Sequence, residues 1–264
     1  MSSFLSHPPE MMSQCPATTL ENMTFEGPTL FINGQHSKFA SRDHEKEILK
    51  FFPCQATKLN NEQTVQKTLE FTLELTRSVK PPDSISAGYF IKYLSLAPHL
   101  SKVQLLEILL QELQFQKSQA EMDLGAASLK TPMYGVLYCI RLLVLELDLE
   151  GSMMRNLFNI CMSISDIIAP VLKSDSPEGF VLEDCQATKV TAQILLLCSW
   201  RTSKEISLIL GHLSQNPDIM KEISDQFVNQ LSEIKHRGAF EQAFIGNVEI
   251  YLSQSQFYAL DGVL

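Results

Sequence analysis

The chain has 264 residues, 45% of them hydrophobic, with only 11 glycines and 12 prolines, which is the composition of a packed globular protein rather than a disordered or fibrous one. A formal net charge of −9 excludes bulk electrostatic attraction of the whole chain to nucleic acid, because phosphate binding needs clustered Lys and Arg. The most apolar run, VLYCIRLLVLELDL, carries Arg141, Glu146 and Asp148 and is shorter than the roughly 20 apolar residues of a membrane span, so no membrane insertion is expected.

Residues 1–42 mix Ser, Pro, Met, Asn and Gly without a helical or alternating period, which predicts a flexible leader with one short strand around PTLFING. No basic stretch followed by an apolar run opens the chain, so a secretory signal is not expected and the location predicted is cytoplasmic. The six cysteines, at 15, 54, 139, 161, 185 and 198, contain no Cys-x-x-Cys pair and read as reduced, buried thiols.

From Asp43 the pattern becomes one of helices divided by turn signals. DHEKEILKFF opens with acids suited to a helix N-terminus. In NEQTVQKTLEFTLELTRSVK, Val65, Leu69 and Leu73 fall at steps of four, and Pro81-Pro82 stops the run. In SKVQLLEILLQELQFQ, Ser101 and Gln104 have capping-box spacing, and Val103, Leu106, Leu110 and Leu113 make an apolar stripe. Thr131-Pro132 and Asn216-Pro217 each read as an N-cap followed by proline at the first helical position. GSMMRNLFNICMSISDIIAPVLK, 151–173, is apolar on several sides and predicts a helix between neighbours. Alternating strands are absent.

The fold class expected is therefore all-α. Short connections point to antiparallel pairs, and pairs in a row make an α-solenoid of the HEAT or armadillo kind, with about 40 to 47 residues per repeat; a non-repeating helical bundle is the alternative. The armadillo-like helical region is placed at 43–254, with a C-terminal tail at 255–264.

No catalytic pattern stands out: there is no Gly-rich phosphate loop, no His-Glu-x-x-His, no Gly-x-Ser-x-Gly and no acidic ladder for a metal ion. Neither an enzyme nor a metal site is expected. The informative stretch is VTAQILLLCSWRTSKEISLILGHL, 190–213. On a helical period Ile194, Leu197, Arg201, Glu205 and Leu208 share one side, with Arg201 and Glu205 at i,i+4 and able to pair. Ser199, Ser203, Ser207 and Gly211 form a small-residue column that would admit another helix. The charged notch reads either as an ion pair fixing the register of stacked helices or as a cluster of Trp200, Arg201 and Lys204 that receives a partner or a phosphate. Near the end, EIKHRGAFEQAF places Lys235, His236 and Arg237 at a turn, with Arg237 four residues before Glu241. That turn is either a solvated basic step or a contact to RNA backbone. Phe240, Ala243, Phe244 and Tyr251 are predicted to make the packing face of the last helix, with Asn247 needing a partner for its amide.

These two segments together resemble the thyroid adenoma-associated protein family. Its Thr-Ala-Gln, Cys-Trp-Arg, Lys-Glu and His-Arg-Gly-Ala-Phe-Glu landmarks are matched here by Thr191-Ala192-Gln193, Ser199-Trp200-Arg201, Lys204-Glu205 and His236-Arg237-Gly238-Ala239-Phe240-Glu241. Ser176-Pro177-Glu178-Gly179 resembles a loop just before them, so the similarity runs over 176–246. Family members are longer, and this chain is expected to be a short or truncated one. The resemblance implies a non-catalytic helical-repeat scaffold that regulates tRNA processing. Its partner would be an FtsJ-type methyltransferase that 2′-O-methylates nucleotide 32 of the tRNA anticodon loop. S-adenosylmethionine would be bound by that partner, and no cofactor by this chain. The residues it marks for contact with RNA or partner are Trp200, Arg201, Lys204, Glu205, Lys235, His236, Arg237 and Glu241. The second reading is a protein-binding adaptor without an RNA role at the cytosolic face of the endoplasmic reticulum, beside a calcium pump.

Overall fold

The computed structural model describes residues 60–174 and 192–248. Several expectations lie outside them: the leader and its strand, the helix at 43–52, the loop at 176–179, the tail at 255–264, Tyr251, and Cys15, Cys54 and Cys185.

The described residues contain helices and no strand, so the all-α class is the one observed. The helices are α1 (Glu62–Thr76), α2 (Pro81–Leu94), α3 (Lys102–Met122), α4 (Leu124–Lys130), α5 (Tyr134–Val144), α6 (Gly151–Leu172), α7 (Ala192–Leu213) and α8 (Pro217–Glu233). A further helical stretch, α9, covers 237–248.

Local chemistry sets most boundaries. The Asn61 side chain accepts the Gln63 and Thr64 N–H groups and starts α1, and Pro81 and Pro82 supply the first turn of α2. Ser101 and Gln104 form the expected capping box on α3, and Asn216 accepts the Asp218 N–H ahead of Pro217 at the start of α8. Thr131 does not cap α5. That helix begins at Tyr134, Met133 occupies the cap position without a side-chain bond, and the Thr131 hydroxyl is buried without a partner. The fixed geometry of Pro132 is spent on the connection instead of the first turn. The stripe on α3 also turns away from Val103, which is exposed, toward Leu105, Leu106, Leu109, Leu110 and Leu113.

Packing centres on α5. It lies against α2 and α1 on one flank and α7 on another, with α3 beside it; the short α4 packs on α3 and α7, α6 packs on α7 and reaches α3, and α7 reaches α8. Val136, Leu137, Cys139, Ile140, Leu143 and Val144 are all buried, so nearly every face of this short helix meets another element. Each full burial of such a side chain contributes about 1.5–3 kcal/mol. One contact is close enough to require glycine: a Cβ on Gly135 would stand 2.4 Å from the Thr76 carbonyl oxygen, so α5 passes against the end of α1 with no side chain between them. The charged groups inside are paired. Arg77 donates two hydrogen bonds, 2.7 and 2.6 Å, to the buried Glu112 carboxylate, which also accepts from Gln116.

Candidate interaction site

The small column of α7 is buried as its spacing requires: Ser199, Ser203, Ser207 and Gly211 all face neighbouring helices. The charges do not behave as an intrahelical pair. Glu205 is 7% exposed, and its Oε2 accepts from Arg141 Nε on α5 at 2.7 Å. The register-fixing ion pair therefore exists, but it joins α7 to α5, and Arg201 is not in it. Arg141 wins because its approach from the facing helix lets the carboxylate stay inside, where an exposed i,i+4 pair is worth little. Glu205 thus serves the interior rather than the surface.

Arg201 is left with aromatic partners. Its guanidinium lies 5.7 Å from the Tyr134 ring centroid and 5.5 Å from that of Trp200, and its Nε is buried without a hydrogen-bond acceptor. Tyr134 is itself fixed: its hydroxyl donates to the Val79 carbonyl at 2.7 Å, and burial raises its pKa well beyond the ordinary phenol value, with the Cys198 thiol adding to the rise and Arg201 opposing it. Trp200 is half-buried and stacks on His236, with centroids 6.1 Å apart and planes 26° from parallel. A column thus runs from Tyr134 through Arg201 and Trp200 to His236.

The last member is held from the other side. The backbone N–H groups of Lys235 and His236 both donate to the Leu172 carbonyl at the end of α6, at 3.0 and 3.3 Å. The His236 Nδ1 accepts the Ala239 N–H at 3.2 Å, which caps α9. Gly238 sits in the crook of this cap: a Cβ there would come 3.2 Å from His236 Cε1 and 3.8 Å from the Trp200 ring. Arg237 points outward, 91% exposed, and pairs with Glu241 at 2.9 Å as the i,i+4 spacing implied. Lys235 is exposed and Lys204 half-buried; among the described residues Lys204 forms no ion pair.

The two sequence segments singled out above, 35 residues apart at Arg201 and His236, therefore meet in space through Trp200 and His236. Two contributors were not found by sequence reasoning. Tyr134 and Arg141 come from α5, outside both segments, and only their places at the start and on the buried side of that helix connect them to α7. The face assigned to α9 also changes. Ala239 and Ala243 are fully buried and Gly246 lies against the Phe227 ring of α8, whereas Phe240 and Phe244 are 41% and 54% exposed. Small residues let α9 approach α8 closely, and larger side chains in that row would hold the two apart. The side-chain amide oxygen of Asn247 is buried without a partner.

Among the described residues no group of three or more His, Cys, Asp or Glu side chains is arranged to hold a metal ion, and no helix is long and apolar enough to cross a membrane. Cys139, Cys161 and Cys198 are free and buried; burial pushes the Cys161 and Cys198 thiols up to about 12, which makes them poor nucleophiles. What the described residues define is an all-α protein with a column of aromatic and cationic side chains held against one another.

Residues 152–253 match the family model described as THADA/TRM732, DUF2428, the same family that the two segments resemble. The chain is 28% identical over 66% of its length to the tRNA (32-2′-O)-methyltransferase regulator THADA of Drosophila melanogaster. It is 24% identical to the proteins of that name from Canis lupus familiaris and Homo sapiens, over 80% and 70% of its length. It spans only 14% to 17% of the length of these relatives. No solved structure matches the chain. The relatives are named as regulators of a methyltransferase and not as the enzyme itself.

Proposed function

We propose that this chain is a non-catalytic helical scaffold that regulates tRNA 2′-O-methylation at nucleotide 32, working beside an FtsJ-type methyltransferase that binds S-adenosylmethionine. The pairs α1/α2, α3/α5 and α6/α7 act as turns of a HEAT- or armadillo-like row. The observation that supports the reading is where the column lies: Arg201, Trp200 and His236 meet within the matched residues, and Lys204, Lys235 and Arg237 are their neighbours along the chain. A guanidinium whose ring contacts hold it in place, with no carboxylate partner, presents its in-plane donors to a phosphate or carboxylate arriving from outside. The chemistry such a surface supplies is positioning. Holding an anticodon region or an enzyme in place raises the rate without any reactive group.

The test is complementation. Cells lacking the longer relative are given this chain, and 2′-O-methylation of nucleotide 32 is read by primer extension or mass spectrometry. Restoration above the empty-vector level is expected; a chain that is present and folded yet restores none would contradict the proposal.

A further inference from the structure

A cavity of about 300 Å³ opens between α6, α7 and α8, away from the ring column but sharing the Leu172 and Ile234 backbone that carries the turn before α9. Its lining is divided. Ile168, Ala169, Leu172 and Ile234 give an apolar wall, and Ser165, Asp166, Asn229 and Gln230 bring hydroxyl, carboxylate and amide groups. Two of these are more than nine-tenths buried and hold an oxygen with no hydrogen-bond partner, Ser165 Oγ and Gln230 Oε1. Lys173 is paired with Glu233, which leaves Asp166 as an exposed carboxylate that forms no ion pair among the described residues.

Acceptors in excess of donors, a free carboxylate and an adjoining apolar wall match an apolar stem that ends in a cluster of N–H groups. We infer that this cavity receives an arginine side chain of a protein partner, the methylenes lying on Ile168 and Leu172 and the guanidinium meeting Asp166 and the amide oxygens. Size agrees, since the volume is at the small end of ligand pockets and takes one long side chain rather than a cofactor. Charge excludes a phosphate here, because Asp166 would face it. The surface goes beyond the RNA-facing column: the same domain would hold RNA through its cations and a protein through its acceptors.

The experiment uses the full chain, labelled with ¹⁵N, and the capped tripeptide acetyl-Gly-Arg-Gly-amide. Side-chain amide signals of Gln226, Asn229 and Gln230 should shift saturably with the arginine peptide. They should stay in place with the citrulline peptide, which keeps the shape and loses the charge. Asp166→Asn, at an exposed position that leaves folding intact, should weaken binding about fivefold, and Gln230→Met should weaken it while leaving the melting temperature unchanged or raised, because an unsatisfied buried oxygen is removed. The inference is overturned if none of these signals saturates up to millimolar peptide, if citrulline does as well as arginine, if Asp166→Asn binds as the parent does, or if adenosine or cytidine moves the signals and the arginine peptide does not.

Discussion

At the scale of residues, the decisive event is a competition for Glu205. Spacing along α7 offers it Arg201, yet the carboxylate is held by Arg141, with side-chain exposures of 19% and 9% for the pair. Breaking a buried pair strands a charge, so Arg141→Met alone or Glu205→Leu alone should destabilise by about 3–5 kcal/mol in urea unfolding. Replacing both together should recover most of that loss. Near-equal effects of the single and double changes would mean the pair is dispensable. The sequence could show that Arg201 and Glu205 shared a helix face, because that follows from period alone. It could not show which cation would arrive from another helix, since 64 residues separate Arg141 from Glu205 and only the packing of α5 on α7 brings them together. The same competition frees Arg201, and its aromatic contacts make a further expectation specific. Arg201→Lys keeps the charge but not the planar fork, so it should lower nucleotide-32 methylation in complementation nearly as far as Arg201→Gln, with folding retained; full activity of Arg201→Lys would reduce the site to a point charge.

At the scale of elements, most boundaries were legible because they are written in local chemistry. The Ser101–Gln104 box and Asn216-Pro217 begin helices as expected, whereas Pro81-Pro82, expected to stop α1, opens α2 after α1 has already ended at Thr76. At α9, tertiary packing chooses the buried face over the one that hydropathy favours. Phe240 and Phe244 suit a packing face by hydropathy, but α9 comes close to α8 through Ala239, Ala243 and Gly246. Close approach favours the small residue, and it does so again where α5 crosses the end of α1. Gly135→Ala puts a methyl group into the Thr76 carbonyl, and neither partner is a side chain that can turn away. An overpacking cost of about 1–3 kcal/mol is expected, seen as a lower melting temperature with unchanged helical circular dichroism. An unchanged or raised melting temperature would show that the two helices have room to separate.

At the scale of the whole molecule, the three described thiols couple stability to alkaline pH. Burial raises Cys139, Cys161 and Cys198 above the ordinary thiol range, to about 12 for the latter two. The native state therefore keeps protons that the unfolded chain releases from about pH 8.5. The sign follows: these groups leave stability intact below that value, and it declines as pH rises toward 12, by up to about 1.4 kcal/mol per pH unit for each thiol. Urea midpoints at pH 8 and pH 10 check this, and equal midpoints would contradict the burial of these thiols. The same burial predicts that Cys139, Cys161 and Cys198 resist a thiol reagent until the chain unfolds. The net charge of −9 argues against nucleic-acid binding by the chain as a whole, so the hold on RNA proposed for the column would have to be local, on a scale that overall composition does not register.

The central proposal is that this chain would hold RNA or the methyltransferase through the column ending at His236. Its most direct measurement is the rate of 2′-O-methyl transfer to nucleotide 32 by the purified methyltransferase, with no added chain, with the parent chain, and with Arg201→Gln. The account predicts acceleration by the parent and a return toward the enzyme-alone rate with the variant, both chains showing the same helical content and melting temperature. Equal acceleration by the two would contradict it and move the working surface elsewhere on the domain.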